Sequence, residues 1–364
     1  MRFLASGICL GLLGLLGLLG SLGSLGSLGH AEVASAAAGT FEKPPAGGLP
    51  LKHSGTGLSF PQILGSHRMV SKFTFTEGGG IFVRYESEPE RSRADIFLFP
   101  HSKVELSAED TRGAISNELD TVVAQFQAMA NEGRYKNLVL DEPADGEIPL
   151  WPEGSLPLSV RSLVATKLAD TREGPKGVQV KQWIGVTLLK GHLVTIRYTH
   201  PTDTGEAGEQ ALKAFAGMVF QVIKDPPLRD QVRELVKVYA ANPMGPEGEQ
   251  SAAAVLAYVQ KTPFVNVPIP NQPLVSWLEH FKQEAPGTET QLLRAFAMGS
   301  AQLGLDEKSP EECLNAGAKQ FLYIYGMLLP GHPTLRHPGV LELAEAVKAG
   351  DAAGYLKKNA VGAK

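Results

Sequence analysis

From residue 57 onward the chain alternates. LSFP (58–61), KFTFT (72–76), IFVRYE (81–86) and ADIFLFP (94–100) have strand composition. In IFVRYE, Ile81, Val83 and Tyr85 fall on one side. The connections EGGG (77–80) and EPERSR (88–93) are too short for parallel crossovers, so these segments predict an antiparallel meander. The period then changes. Ile115, Leu119, Val122, Phe126 and Met129 recur at spacings of four and three, the single apolar stripe of a helix. Ser107 is its N-cap candidate, and Glu109 and Asp110 sit in the first turn, where the helix dipole favours anions.

YKNLVLDE (135–142) reads as a strand and the Pro/Gly/acidic stretch 141–157 as a long loop. RSLVATKLA (161–169), GVQVKQWIGVTLL (177–189) and HLVTIRYTH (192–200) are strand patterns, the last two joined by a tight turn at Lys190-Gly191. A helix over 206–224, with Leu212, Phe215, Val219 and Val222 on one face, is predicted to end at Asp225-Pro226-Pro227. After Pro227 the patterns are helical, interrupted by FVNVPIPNQP (264–273) and PGHPTLRHPG (330–339). The expected fold class is α+β: an antiparallel sheet flanked by helices over 57–226, followed by a small all-α domain over 227–364.

One hairpin carries a resemblance. Trp183, Val186, Leu188, Leu189, Gly191, Leu193, Val194, Ile196, Tyr198 and Pro201 form a W-x-x-V-x-L-L-x-G-x-L-V-x-I-x-Y-x-x-P pattern that feeds an amphipathic helix. This resembles the PsbP-like α/β sandwich, which includes photosystem extrinsic subunits and small exported bacterial proteins. The resemblance covers about half the chain and rests mostly on core positions, so it carries no functional residue across. It implies a non-enzymatic binding or assembly role.

The N-terminus changes the picture of where the protein goes. Arg2 precedes an apolar run from Phe3 to about Leu19, followed by a Ser/Leu/Gly tract. Ala34-Ser35-Ala36 fits the small-x-small pattern of a signal-peptidase site, with a second candidate cut after Ala31. Residues 1–36 are therefore expected to be a signal peptide, and 37–56, rich in Pro, Gly and Lys, a flexible linker. Once the leader is removed, no stable membrane insertion is expected, and the protein is placed in the periplasm or outside the cell. Cys313 is then the one remaining thiol, with no disulfide partner. It lies in a helical pattern that favours packing over nucleophilic chemistry.

Composition is ordinary for a chain with a buried core: 43% apolar and 20% charged residues, with a net charge of −4. No basic run or stripe provides an electrostatic footprint for nucleic acid. H-E-x-x-H, C-x-x-C, Walker, dinucleotide, EF-hand and G-x-S-x-G patterns are all absent, and no cofactor is expected.

Candidate chemistry is sparse. Arg84 and Arg197 occur in two similar strands, each beside a tyrosine with core parity, so a paired arginine surface could receive an anionic ligand. The competing reading lays their stems under an adjacent helix or at its rim. Trp151 could cap a groove or staple its loop to the core. His332 and His337 are the densest histidine pair; two ligands without a nearby carboxylate or thiolate do not make a metal site. Asp141, Glu142, Asp145 and Glu147 match no calcium-loop spacing. His192 and His200 share a strand face but lie roughly 26 Å apart along it, so they cannot share one metal.

The sequence therefore points to an exported, non-catalytic binding or assembly protein of the bacterial cell envelope, with an envelope protein as partner. The alternatives are a small-ligand binder using an interdomain cleft and an envelope hydrolase in which His280, His332, His337 and the acidic loop converge.

Overall fold

The computed structural model describes residues 38–360 apart from 77, 103–105, 151–153, 170–175, 263 and 271. The leader, both candidate cleavage points and Trp151 lie outside the described residues. The fold is α+β, and the chain divides into two compact units at Lys224/Asp225.

The first unit is built on an antiparallel sheet. Its strands are β1 (Gly39–Glu42), β4 (Ile63–Leu64), β5 (His67–Phe75), β6 (Ile81–Ser87), β7 (Ser92–Pro100), β8 (Tyr135–Leu140), β9 (Ala144–Pro149), β10 (Ser155–Ala169), β11 (Lys176–Leu189) and β12 (His192–Pro201). The spatial order is β1-β5-β6-β7-β12-β11-β10-β8, with β4 beside β5 and β9 beside β10. A separate hairpin pairs β2 (Leu51–His53) with β3 (Leu58–Phe60). The β11–β12 turn has φ of 46° at Lys190 and 71° at Gly191, both left-handed, as a tight two-residue hairpin requires.

Helix α1 (Ala108–Asn131) starts at Ser107, whose side chain accepts the Asp110 N–H. Its stripe Ile115, Leu119, Val122 and Phe126 is buried against Leu163, Ala165, Val180, Ile184 and Val186 of β10 and β11. Helix α2 (Gly205–Ala241) lies against the other face, where the Phe215 ring stands 5.5 Å from Tyr198 and 5.9 Å from Tyr85. The sheet is thus covered on both faces.

Three segments differ from the sequence expectation. Residues 37–56, expected as a linker, carry β1, which pairs with β5 in register Gly39↔Phe75 to Glu42↔Lys72, and also β2. Backbone pairing needs no apolar periodicity, and Phe41 anchors the strand edge-on to Phe73 at 4.7 Å. The acidic loop is largely strand: β9 pairs with β10, where Ser159 Oγ donates to Asp145 Oδ1 (2.6 Å) and Ser155 Oγ to Glu147 Oε2 (2.8 Å). Pro226 and Pro227 do not end α2. The fixed φ of proline is itself helical; what it forfeits is the bond back to the fourth preceding carbonyl. Buried Val219, Val222 and Ile223 before the prolines, and Val232, Val236 and Tyr239 after them, hold the helix across that loss.

The second unit is helical: α3 (Pro246–Lys261), α4 (Leu274–Glu284), α5 (Thr288–Leu305), α6 (Pro310–Leu328), α7 (Pro338–Lys348) and α8 (Ala352–Ala360). Its larger core gathers Trp277, Phe281, Phe296, Phe321, Leu343 and Leu356. Helices α5 and α6 approach closely because Gly299 and Gly317 carry no Cβ: one on Gly299 would stand 2.5 Å from the Ala316 carbonyl oxygen, and one on Gly317 2.4 Å from Ser300 Oγ.

Candidate functional site

Adjacent strand residues point to opposite faces, so Arg197 lies under α1 and Tyr198 under α2. The arginines form part of one cross-strand row, because Asp95 is the register partner of both Arg84 and Arg197. Arg84, 1% exposed, donates from Nε to Asp95 Oδ1 (2.6 Å) and from Nη2 to Oδ2 (3.1 Å). Arg93 Nε stands 3.4 Å from the same carboxylate. Arg197 is half-buried; its Nη2 donates to Gln125 Oε1 of α1 (2.8 Å), and its guanidinium lies 4.6 Å from the Phe97 ring centre and 5.7 Å from that of Phe126. Glu118 of α1 accepts from Thr195 Oγ1 (3.1 Å), and burial pushes its carboxyl above the usual range despite Thr195 and Arg197.

The two arginines do not lie side by side as an open surface. Both tyrosines are core residues at 0% exposure, but the opposite face is also covered, and Arg84 is spent on Asp95 inside it. Arg197 lies against α1, as the competing reading had it, and Arg84 is buried on the same face of the sheet against Asp95.

On the α2 face, His67 is 1% exposed. Its Nε2 bonds to Ser92 Oγ (2.8 Å) and lies 3.6 Å from Glu90 Oε2, while Nδ1 faces Ser66 Oγ at 3.2 Å. Ser66 Oγ donates to Glu90 Oε1 (2.6 Å), which ties the β6–β7 turn to the β4–β5 turn. Burial lowers the His67 pKa, with Glu90 pulling the other way. Tyr198 and Phe215 close over the ring at 5.5 and 4.7 Å. Serine, histidine and carboxylate thus meet; His67 and Ser92 are buried, while Glu90 and Ser66 lie at the edge of the cluster, and together they hold elements in place. They were missed in the sequence because His67 sits before the run that reads as strand. The two histidines of β12 stand at its opposite ends. His200 is buried with Nδ1 against Thr204 Oγ1 (3.0 Å), and His192 lies at the hairpin turn with its ring 5.1 Å from His53.

In the second unit, His337 is the N-cap of α7, its Nδ1 accepting the Gly339 N–H at 3.1 Å. Its ring stands 5.3 Å from His280 and 6.1 Å from Trp277. Its pKa is lowered, first by burial and then by His280. His332 is exposed at the start of a short 3-10 turn. Asp225 collects the Tyr258 hydroxyl (2.6 Å) and the Arg229 guanidinium, and Arg229 also reaches Glu307 (2.7 Å). Cys313 is 1% exposed, and burial raises its thiol pKa. Among the described residues, no group of three or more His, Cys, Asp and Glu is placed to hold one metal ion.

A recess of about 220 Å³ opens where the extended segment 265–270 meets α6 and α8; Ile269, Pro270, Leu314 and Leu356 line it, with Lys357 beside them. Among the described residues, no helix is long and apolar enough to cross a membrane. No protein-family model matches the chain, and no curated protein matches it either.

Proposed function

We propose that the protein is an exported, non-catalytic binding or assembly factor of the bacterial cell envelope, acting through an envelope protein partner. The observation that carries this reading is the fate of the polar groups in the first unit. Arg84 and Asp95, the charged pair best suited to grip a substrate, neutralise each other at 1% and 4% exposure. His67 and Ser92 are likewise bonded to one another inside the fold. Catalysis needs such groups convergent at a reachable position; here they fix helices and turns to the sheet. What faces solvent includes large apolar side chains, among them Tyr323, Met327 and Leu341 at 56, 46 and 61% exposure. The apolar recess beside α6 suits an apolar side chain better than a reacting polar group. The apolar leader supports export, and the sheet-and-helix texture of the first unit is in keeping with a PsbP-like relationship.

The test is cross-linking in the native envelope with photoreactive residues at surface positions of the secreted chain. The reading expects one dominant adduct, retained through two independent purification steps. Saturable turnover of an ester, peptide or glycan by the purified chain, abolished by substituting one residue, would replace it with an enzyme.

A further inference from the structure

The start of α7 is held by a group that acid removes. His337 is the N-cap, and its Nδ1 lone pair accepts the Gly339 N–H at 3.1 Å. Pro338 brings no N–H, and the Val340 and Leu341 N–H groups reach the His337 carbonyl oxygen at 3.1 and 3.3 Å. Within the first turn, the Gly339 N–H therefore depends on a side chain for its partner. The usual capping residues accept through an oxygen that keeps its lone pairs near neutral pH. An imidazole accepts only while it is neutral.

The capped turn rests on an aromatic seat. Trp277 of α4 lies directly over Gly339, where an added Cβ would stand 2.8 Å from the indole Nε1. Tyr355 of α8 stacks on Trp277, with ring centres 6.5 Å apart and planes at 23°. Its hydroxyl lies 3.1 Å from both the Gly339 carbonyl oxygen and Glu342 Oε2. The chain on either side is fixed independently of the cap. The Tyr325 hydroxyl of α6 donates to the Leu335 carbonyl oxygen (2.8 Å) and accepts the His337 N–H (3.2 Å). Helix α8 is tied to α6 by the Ala353 N–H on Asn315 Oδ1 (2.9 Å) and by the Lys357–Glu311 ion pair (2.5 Å). What depends on the His337 ring is the first turn of α7.

The surroundings oppose a charged ring. His280 of α4 stands 5.3 Å away, and its own Nε2 is buried without a hydrogen-bond partner. Arg336 precedes His337 in the chain, Tyr325 of α6 meets its backbone, and Glu342 of α7, bonded to Tyr355 of α8, pulls the other way. A proton on Nδ1 turns the cap acceptor into a donor facing a donor. It also sets a cation at the positive end of the helix dipole. Burial first, then His280, keep the His337 pKa below its ordinary value.

We infer that His337 is an acid-sensitive latch: its protonation breaks the cap, the first turn of α7 leaves Trp277, and the Trp277–Tyr355 surface is uncovered while α6 and α8 stay in place. The latch is a property of this chain alone and stands independently of any partner. In the open form the ring titrates near the unperturbed value of about 6.5, and in the closed form lower. The opening constant therefore rises by up to about tenfold per pH unit below about 6.5, with one proton taken up, and levels off below the closed-form pKa.

The test is hydrogen exchange of the full chain followed by mass spectrometry from pH 7.5 to 5.0, corrected for the intrinsic exchange rate. Protection at residues 339–343 should fall with that slope, while α6 and the Ala353 amide keep theirs. Nitrogen NMR of histidine-labelled protein should show His337 Nδ1 taking up its proton over the same range. His337→Asn supplies a capping oxygen that does not titrate. It should hold the segment closed throughout, and a melting temperature at pH 7.5 matching the wild type establishes that it is folded. Three results overturn the inference: the same acid-dependent loss in His337→Asn, a His337 ring that takes up its proton with no change in α7 protection, or loss that spreads across α6 and α8 at once.

Discussion

Asp95 lies between Arg84 and Arg197 in the sheet register and is bound twice by Arg84, through Nε at 2.6 Å and Nη2 at 3.1 Å, with Arg84 only 1% exposed. Removing one partner of a buried pair leaves an uncompensated charge, which costs about 3–5 kcal/mol. Asp95→Ala should therefore lower the denaturation midpoint by more than the double variant Arg84→Met/Asp95→Leu, measured by urea unfolding. Equal losses would mean that the pair is not energetically coupled.

Three histidines link stability to pH. Burial is the first cause of lowered pKa at His53, His67 and His337. Each folded pKa lies below the unfolded value of about 6.5, so the unfolded chain takes up protons first as pH falls. The contribution is complete above that value and is lost between it and the folded pKa, at up to about 1.4 kcal/mol per pH unit for each histidine. Melting temperature should fall from pH 7.5 to 5.5, and His67→Gln should flatten the slope. Glu118 works in the opposite direction at lower pH: its raised carboxyl favours the fold as pH falls toward the unfolded value of 4.5. A melting temperature that rises over pH 7.5 to 5.5 would contradict the histidine account.

The α5–α6 contact gives a paired test. A Cβ on Gly299 meets the Ala316 carbonyl oxygen at 2.5 Å, and backbone cannot step aside as a side chain can. Gly299→Ala should destabilise by about 1–3 kcal/mol, the usual cost of overpacking. Gly326, in α6 with nothing within 4 Å of its added Cβ, should tolerate alanine and gain up to about 1 kcal/mol from helix propensity. Thermal unfolding of the two variants separates crowding from propensity.

Asp225 binds the hydroxyl of Tyr258 at 2.6 Å, one residue before the two prolines in α2. The hydrogen bond joins a phenol to a charged acceptor, worth about 1.5–3 kcal/mol. Tyr258→Phe should lose an amount in that range by chemical denaturation, and less in an Asp225→Asn background.

The β-meander, the α1 stripe, the Lys190-Gly191 turn and the helical character beyond residue 227 were all legible, because each follows from a local period or a local turn preference. Three things were not. β1 owes its strand form to β5, well along the chain, and β9 to β10, the strand that follows it; a segment such as GTFE shows no period of its own. The continuation of α2 through Pro226 and Pro227 depends on buried packing on either side, which a proline rule does not weigh. For Arg84 and Arg197 alternation left two readings, an open surface or stems under a helix, because it distinguishes two faces without saying what covers each. The pairs that matter in the first unit, Arg84–Asp95 and His67–Ser92, are 11 and 25 residues apart, joined by register and turns rather than by sequence spacing.

The central claim is that this chain works by binding an envelope protein. Its most direct test is saturation binding of the labelled protein to envelope fractions, before and after protease treatment of those fractions. The account predicts saturable binding that unlabelled chain displaces and that protease treatment abolishes. Non-saturable uptake, or binding that survives complete digestion of the envelope proteins, would contradict it.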